Sequence, residues 1–188
     1  IQSLIEVVQN QLTQVVGLPE DLPRSGVVEF LGREQELILI DQQFQKTQGK
    51  KVVSLSGMGG IGKTELALQY ALKHKQNYPG GLCWLQARGS NIGNQIVQFA
   101  RSRLQIDPPE GLELSEQVGF CWRYWHPGNV LIIIDDVINY KNIKPYLPPN
   151  DPRFNILITT RLQLGRSVSQ ISVEVLEESA ALAFLNTL

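Results

Sequence analysis

The octapeptide Gly57-Met58-Gly59-Gly60-Ile61-Gly62-Lys63-Thr64 constrains this chain more than any other stretch. It satisfies the phosphate-cradling pattern G-x-x-x-x-G-K-[ST] at each fixed position. Its flanks suit the pattern. Lys51-Val52-Val53-Ser54-Leu55-Ser56 reads as a short buried strand, and Glu65-Leu66-Ala67-Leu68-Gln69-Tyr70-Ala71-Leu72 reads as a helix. Glycines let the backbone turn tightly so that successive N–H groups face one anion. The helix adds the positive end of its dipole. In that arrangement Lys63 reaches the β- and γ-phosphates. The Thr64 hydroxyl ligates Mg²⁺, which takes oxygen ligands and keeps several waters. The implied ligand is a nucleoside triphosphate or diphosphate. The bland alternative is a glycine-rich turn before an ordinary helix, and the strand-loop-helix context argues against it.

The rest of the chain alternates strands and helices. Apolar residues at Ile1, Leu4, Ile5, Val8, Leu12, Val15 and Val16 predict an amphipathic leader helix, broken by Gly17-Leu18-Pro19-Glu20-Asp21-Leu22-Pro23. That leader either packs on the domain or ends a preceding linker. A helix is expected from about Glu34 to Gln45. Gly81–Gln86 reads as a strand, and Ile92, Ile96, Val97, Ala100 and Leu104 share a helical face. Leu114, Val118, Cys121, Trp122 and Trp125 mark a further helix. Val130–Ile134 is a continuous apolar run suited to a central parallel strand covered on both faces. Ile156–Thr160 is the next strand, Ile171–Val175 a candidate edge strand, and a last helix starts near Glu177. This alternation predicts a parallel α/β sheet with right-handed crossovers.

Two further segments carry chemistry. Leu131-Ile132-Ile133-Ile134-Asp135-Asp136 ends a central strand in acids, at the sheet edge where open α/β sheets bind ligands. Asp135 is placed to hold the Mg²⁺ shell, directly or through water. Asp136 is placed to orient or deprotonate an attacking water. Alone the pattern is weak, since acids often end strands. Its place roughly seventy residues after the glycine loop strengthens it. Ile156-Leu157-Ile158-Thr159-Thr160-Arg161 ends a strand in an arginine that either faces the γ-phosphate position or is a solvated loop residue. Phe30-Leu31-Gly32-Arg33-Glu34 is by itself only a turn before a helix.

Composition narrows the class. The 188 residues suit one domain with an accessory helix, and no apolar run reaches the length of a membrane span. A formal net charge of -1 gives no general nucleic-acid surface. Cys83 and Cys121 have no metal-ligand spacing and read as core residues in a reducing compartment. His74, His126 and the three tryptophans read as structural.

Taken together, the four segments resemble the NB-ARC nucleotide-binding domain of STAND-class P-loop ATPases, the class of apoptosome ATPases, plant disease-resistance receptors and bacterial regulators. The resemblance covers roughly residues 26–188, with residues 1–25 as leader helix and linker. It implies a three-layer fold with a five-stranded parallel sheet in the order 5-1-4-3-2. It implies that Gly57, Met58, Gly59, Gly60, Ile61, Gly62, Lys63, Thr64 and Glu65 contact ATP or ADP. Phe30, Leu31, Gly32 and Arg33 would lie against the nucleotide. Thr64 and Asp135 would hold Mg²⁺, and Lys63, Asp136 and Arg161 would act in catalysis. The expected activity is an ADP/ATP switch with slow hydrolysis, cytoplasmic, self-associating with ATP and controlled by domains elsewhere in a longer chain. The family's helical and winged-helix subdomains would follow these residues. The alternatives are a faster AAA+-type ATPase, which usually has Asp-Glu in place of Asp135-Asp136, and a module that only holds ADP.

Overall fold

In a computed structural model, residues 17–26, 30, 32–46, 51–164 and 168–175 are described. The expected leader helix, Leu31 and the helix expected from Glu177 lie outside them. Helix α1 spans Glu34–Lys46 and leads to β1, Lys51–Ser56. Then follow α2, Lys63–Lys73, and β2, Gly81–Gln86. Helices α3, Ile92–Leu104, and α4, Leu114–Tyr124, come next. Strand β3, Val130–Val137, the short helix α5, Tyr140–Ile143, β4, Phe154–Thr160, and β5, Ser169–Ser172, complete the described strands and α-helices, with short 3₁₀ turns at Lys75–Asn77 and Lys144–Tyr146.

The sheet has the order β2-β3-β4-β1-β5 and every pairing in it is parallel. This is the expected order 5-1-4-3-2 read from the other edge. The apolar runs explain the layering, because successive side chains on a strand face opposite sides. Leu131 and Ile133 join Val53, Leu55 and Leu157 under α1 and α2. Ile132 and Ile134 join Ile156, Ile158 and Val52 under α3 and α4. Strands with apolar residues at every position are stable only between two helical layers, and β4 is buried along its whole length.

The second layer holds most of the aromatic packing. Phe99 and Trp125 stack with ring centroids 5.4 Å apart, and the Trp125 indole N–H donates to Gly80 O at 3.0 Å. Trp122 donates to Tyr146 O at 3.0 Å. Both cysteines are buried and free. His74 Nδ1 lies 3.0 Å from Tyr70 O and His126 Nε2 lies 2.9 Å from Leu104 O, so both imidazoles are tied into the scaffold.

Strand β3 runs past Ile134 to Val137 and β4 starts two residues before Ile156, and two further elements differ from the sequence reading. Strand β5 begins two residues before Ile171 and ends at Ser172, where Val175 was expected. Ser172 pairs with Ser56, the last residue of β1. One more bond, Val173 N–H to Ser56 O at 2.7 Å, closes the ladder. The chain beyond Ser56 turns into the glycine loop, so there is no strand left to pair. Helix α5 was not anticipated; the Asn139 side chain starts it by accepting from the Lys141 N–H at 3.0 Å.

Residues 19–21 run along the outer edge of β2. The Leu82 N–H donates to Pro19 O at 2.9 Å, and the Trp84 N–H donates to Asp21 Oδ1 at 2.7 Å. An otherwise open edge is thereby covered. Among the described residues no helix is long and apolar enough to cross a membrane.

Candidate functional site

The glycine loop leaves the C-terminal end of β1 and bends back into α2. Gly57 cannot carry a side chain there: a Cβ would sit 2.4 Å from Val173 O. Gly60 and Gly62 have φ of 81° and 91°, the left-handed region that glycine enters without steric cost. Helix α2 starts at Lys63 with no side chain capping its first amides. Those N–H groups, which no intrahelical carbonyl can accept from, face the bend of the loop.

Lys63 lies across the loop it terminates. Its Nζ donates to Gly57 O at 2.9 Å and to Met58 O at 2.5 Å. Burial, and then the Arg161 guanidinium, push its pKa below the ordinary lysine value; Asp136 and Asp135 partly oppose this. An ammonium held in that state gains from a polyanion.

Thr64 reaches the end of β3. Its hydroxyl donates to Asp135 Oδ1 at 2.8 Å, and the Thr159 hydroxyl donates to the same oxygen at 2.6 Å. The Thr159 Oγ1 also accepts from the Asp136 N–H at 2.8 Å. Thr160, next along β4, donates to Val137 O at 2.6 Å and accepts from the Leu162 N–H at 3.0 Å. The two threonines thus pin the ends of β3 and β4 together where the register shifts between Ile134 and Val137. Sequence reading passed over Thr159 as a strand residue. Only the neighbouring position of β4 beside β3 makes it part of the acid's environment.

Arg161 follows directly and folds over Gly59, where a Cβ would meet its Cζ at 2.9 Å. Gly59, Gly60, Gly62, Lys63, Thr64, Glu65, Asp135, Asp136, Thr159 and Arg161 line one cleft of about 370 Å³. Met58 stands exposed at the loop tip, and Ile61 packs against the core. Phe30, partly buried, packs against the same core cluster under α1 and α2. Gly32 has φ of 74° and leads into Arg33. Arg33 is buried, and its donors go to Glu36 Oε1 at 2.7 Å, Ile61 O at 3.1 Å and Glu174 O at 2.7 Å. It clamps the glycine loop to the segment after β5. That clamping role was not legible from the sequence, since both carbonyls belong to distant segments.

The arrangement fits a magnesium nucleotide. An alcohol and a carboxylate oxygen stand side by side at the mouth of a loop rich in amide donors. Among the described residues no group of three or more His, Cys, Asp or Glu forms a self-sufficient metal site. Mg²⁺ is held by one or two protein oxygens with phosphates and water.

Residues 33–188 match the NB-ARC domain family. The chain belongs to the NB-ARC family. Relatives of this NB-ARC domain include the regulatory protein AfsR of Streptomyces griseus, 25% identical over 153 residues, which cover 78% of this chain and 16% of AfsR. A probable disease resistance protein of Arabidopsis thaliana is 28% identical over 141 residues, which cover 71% of this chain and 15% of the relative. The chain therefore spans about a sixth of the length of these curated relatives. Such relatives are STAND-type regulators. Among solved structures, the fold is similar to CDC6P from Pyrobaculum aerophilum, with a TM-score of 0.58 at 15% identity, covering 81% of this chain and 47% of that one. It is also similar to Drosophila ORC bound to DNA, with a TM-score of 0.51 at 16% identity, covering 87% of this chain and 46% of that one. At such identities these likenesses concern the fold alone. This NB-ARC domain is a P-loop nucleotide-binding unit.

Proposed function

We propose that this NB-ARC domain is the ADP/ATP switch of a STAND-type signalling protein, with slow Mg²⁺-dependent ATP hydrolysis. The carrying observation is the meeting of Lys63, the Thr64–Asp135 pair, Asp136 and Arg161 in one cleft. Loop amides and Lys63 would bind the β- and γ-phosphates, with Lys63 exchanging its two loop carbonyls for phosphate oxygens. Thr64 and Asp135 would hold Mg²⁺, whose charge offsets that of the phosphates. Arg161 stands over the loop, where a γ-phosphate would extend its reach and a diphosphate would leave it idle. Asp136 would orient the water or take its proton. Phe30, Leu31, Gly32 and Arg33 are assigned to the nucleotide's other end by resemblance to the family. We take residues 26–188 as the nucleotide-binding unit.

Switching requires parts beyond these residues. Additional domains are supported by the greater length of the relatives, whereas ATP-dependent self-association and a cytoplasmic setting rest on the family resemblance alone. An aspartate at position 136 is one methylene shorter than the glutamate usual in rapid AAA+ ATPases, and so favours slow turnover over that reading.

The test is to denature the purified full-length protein and identify released nucleotide by chromatography, then to titrate emptied protein with ADP and ATP with and without Mg²⁺. Stoichiometric ADP, or tight titration with ADP and Mg-ATP, is expected. Absence of binding to both at millimolar concentration overturns the assignment.

A further inference from the structure

Asp136 lines the cleft with the glycine loop and is engaged there by a residue that follows β2. Arg88 lies two residues past the end of β2, and its Nε contacts Asp136 Oδ2 at 2.8 Å. The backbone sets up this pair. Parallel strands β2 and β3 place Gln86 opposite Asp135, and the Ala87 N–H extends the ladder to Asp135 O at 2.9 Å. Residue 88 is delivered beside residue 136. Gly89, with φ of 75°, then turns the chain away. Asp136 has φ of 55°, a conformation uncommon outside glycine, asparagine and aspartate, and its N–H is held by Thr159. Backbone and ion pair together direct its carboxylate.

That direction is set by the strand order. β2 flanks β3 on one side, while β4 and then β1, which carries the glycine loop, lie on the other. Asp135 faces the loop side, in contact with Thr64 and Thr159. Asp136 is drawn towards β2 by Arg88. The two adjacent acids are therefore held by different partners, one by the threonines at the proposed metal position and one by Arg88.

We propose that Arg88 is a positioning residue that restrains Asp136 from the attacking water and so acts as a brake on hydrolysis. The inference rests on the assignment of Asp136 in the proposed function. Arg88 has a side-chain exposure of 50%, so the restraint is a weak one that solvent competes for. Releasing it is expected to raise turnover by about two- to five-fold, the range that ordinary surface ion pairs can account for.

The experiment measures ATP hydrolysis and fluorescent-ADP binding by the full-length protein carrying Arg88→Ala, Arg88→Gln, Arg88→Lys, Asp136→Ala or Arg88→Ala with Asp136→Ala. Arg88→Ala and Arg88→Gln should raise kcat with nucleotide affinity unchanged, and Arg88→Lys should keep the restrained rate. The double variant should be as slow as Asp136→Ala. An unchanged or lowered kcat in the folded alanine and glutamine variants overturns the brake, as does a rise that persists in the double variant. Full turnover by Asp136→Ala alone would instead sink the assignment of Asp136, a separate result from loss of the brake.

Discussion

The Thr64 hydroxyl donates to Asp135 Oδ1 at 2.8 Å, joining the first turn of α2 to the end of β3 across 71 residues of sequence. Both oxygens face the same cleft. Thr64 and Asp135 would hold a magnesium ion there, directly or through water, in place of this hydrogen bond. Asp135→Asn should therefore remove most of the Mg²⁺ enhancement of ATP affinity while leaving metal-free binding nearly intact. Calorimetric titration in Mg²⁺ and in EDTA measures both. An enhancement equal to that of the unaltered protein would exclude Asp135 from the metal shell.

Lys63→Ala removes the mobile cation of the loop. A hydrogen bond to a charged group is worth about 1.5–3 kcal/mol, so affinity for ADP should fall by about 10- to 150-fold. The folded state should tolerate the change, because the ammonium is held against its ordinary pKa by burial and by Arg161. Thermal melting in the presence and absence of ADP separates the two effects. A ligand-induced shift that survives the substitution would place the phosphates elsewhere.

Gly59 and Arg161 should give matching phenotypes. A Cβ at position 59 would meet Arg161 Cζ at 2.9 Å. The guanidinium is the far end of a flexible side chain, so Gly59→Ala should displace it rather than unfold the loop. Gly59→Ala and Arg161→Ala should both lower the ratio of ATP to ADP affinity, by several-fold, with little loss of ADP binding. If the ratio is unchanged in both, Arg161 does not read the third phosphate.

Asp21 gives the strap on β2 a pH dependence. Burial pushes its carboxyl up from 3.8 to about 6, and the Trp84 N–H opposes the shift. The folded state therefore holds the Asp21 proton more tightly than the unfolded state does. The stability linked to it is full below about pH 4 and is lost as pH rises towards and through about 6. An asparagine in its place would remain neutral and still accept from the Trp84 N–H. Asp21→Asn should match the unaltered protein at pH 4 and be the more stable at pH 7.5, by a small margin because Asp21 keeps contact with solvent. Denaturant midpoints at the two pH values decide it, and equal differences at both would remove Asp21 as the cause.

Much of the scaffold was legible because its signals are local. The runs at 51–56 and 81–86 are bounded by loop residues, and both strands fall on those bounds. The apolar spacing from Ile92 to Leu104 corresponds to α3. The limits of β5 were not legible, because they depend on where β1 stops pairing. Arg33 offered no local sign that it would join Ile61 O to Glu174 O, 28 and 141 residues away. The strap of residues 19–21 likewise carries turn residues that read only as a break in a helix.

By itself the sequence determined a strand, glycine loop and helix able to bind phosphate, a core strand ending in two acids, and helices and strands in alternation. These follow from residue type and periodicity, which act over a few neighbours. The tertiary structure decided which side chains meet. With β4 between β3 and β1, Thr159 reaches Asp135 and Arg161 reaches Gly59; with β2 on the far side, Arg88 reaches Asp136. Such meetings depend on the order and register of strands distant in sequence. Burial of both sheet faces selects that order collectively, and no single segment encodes it.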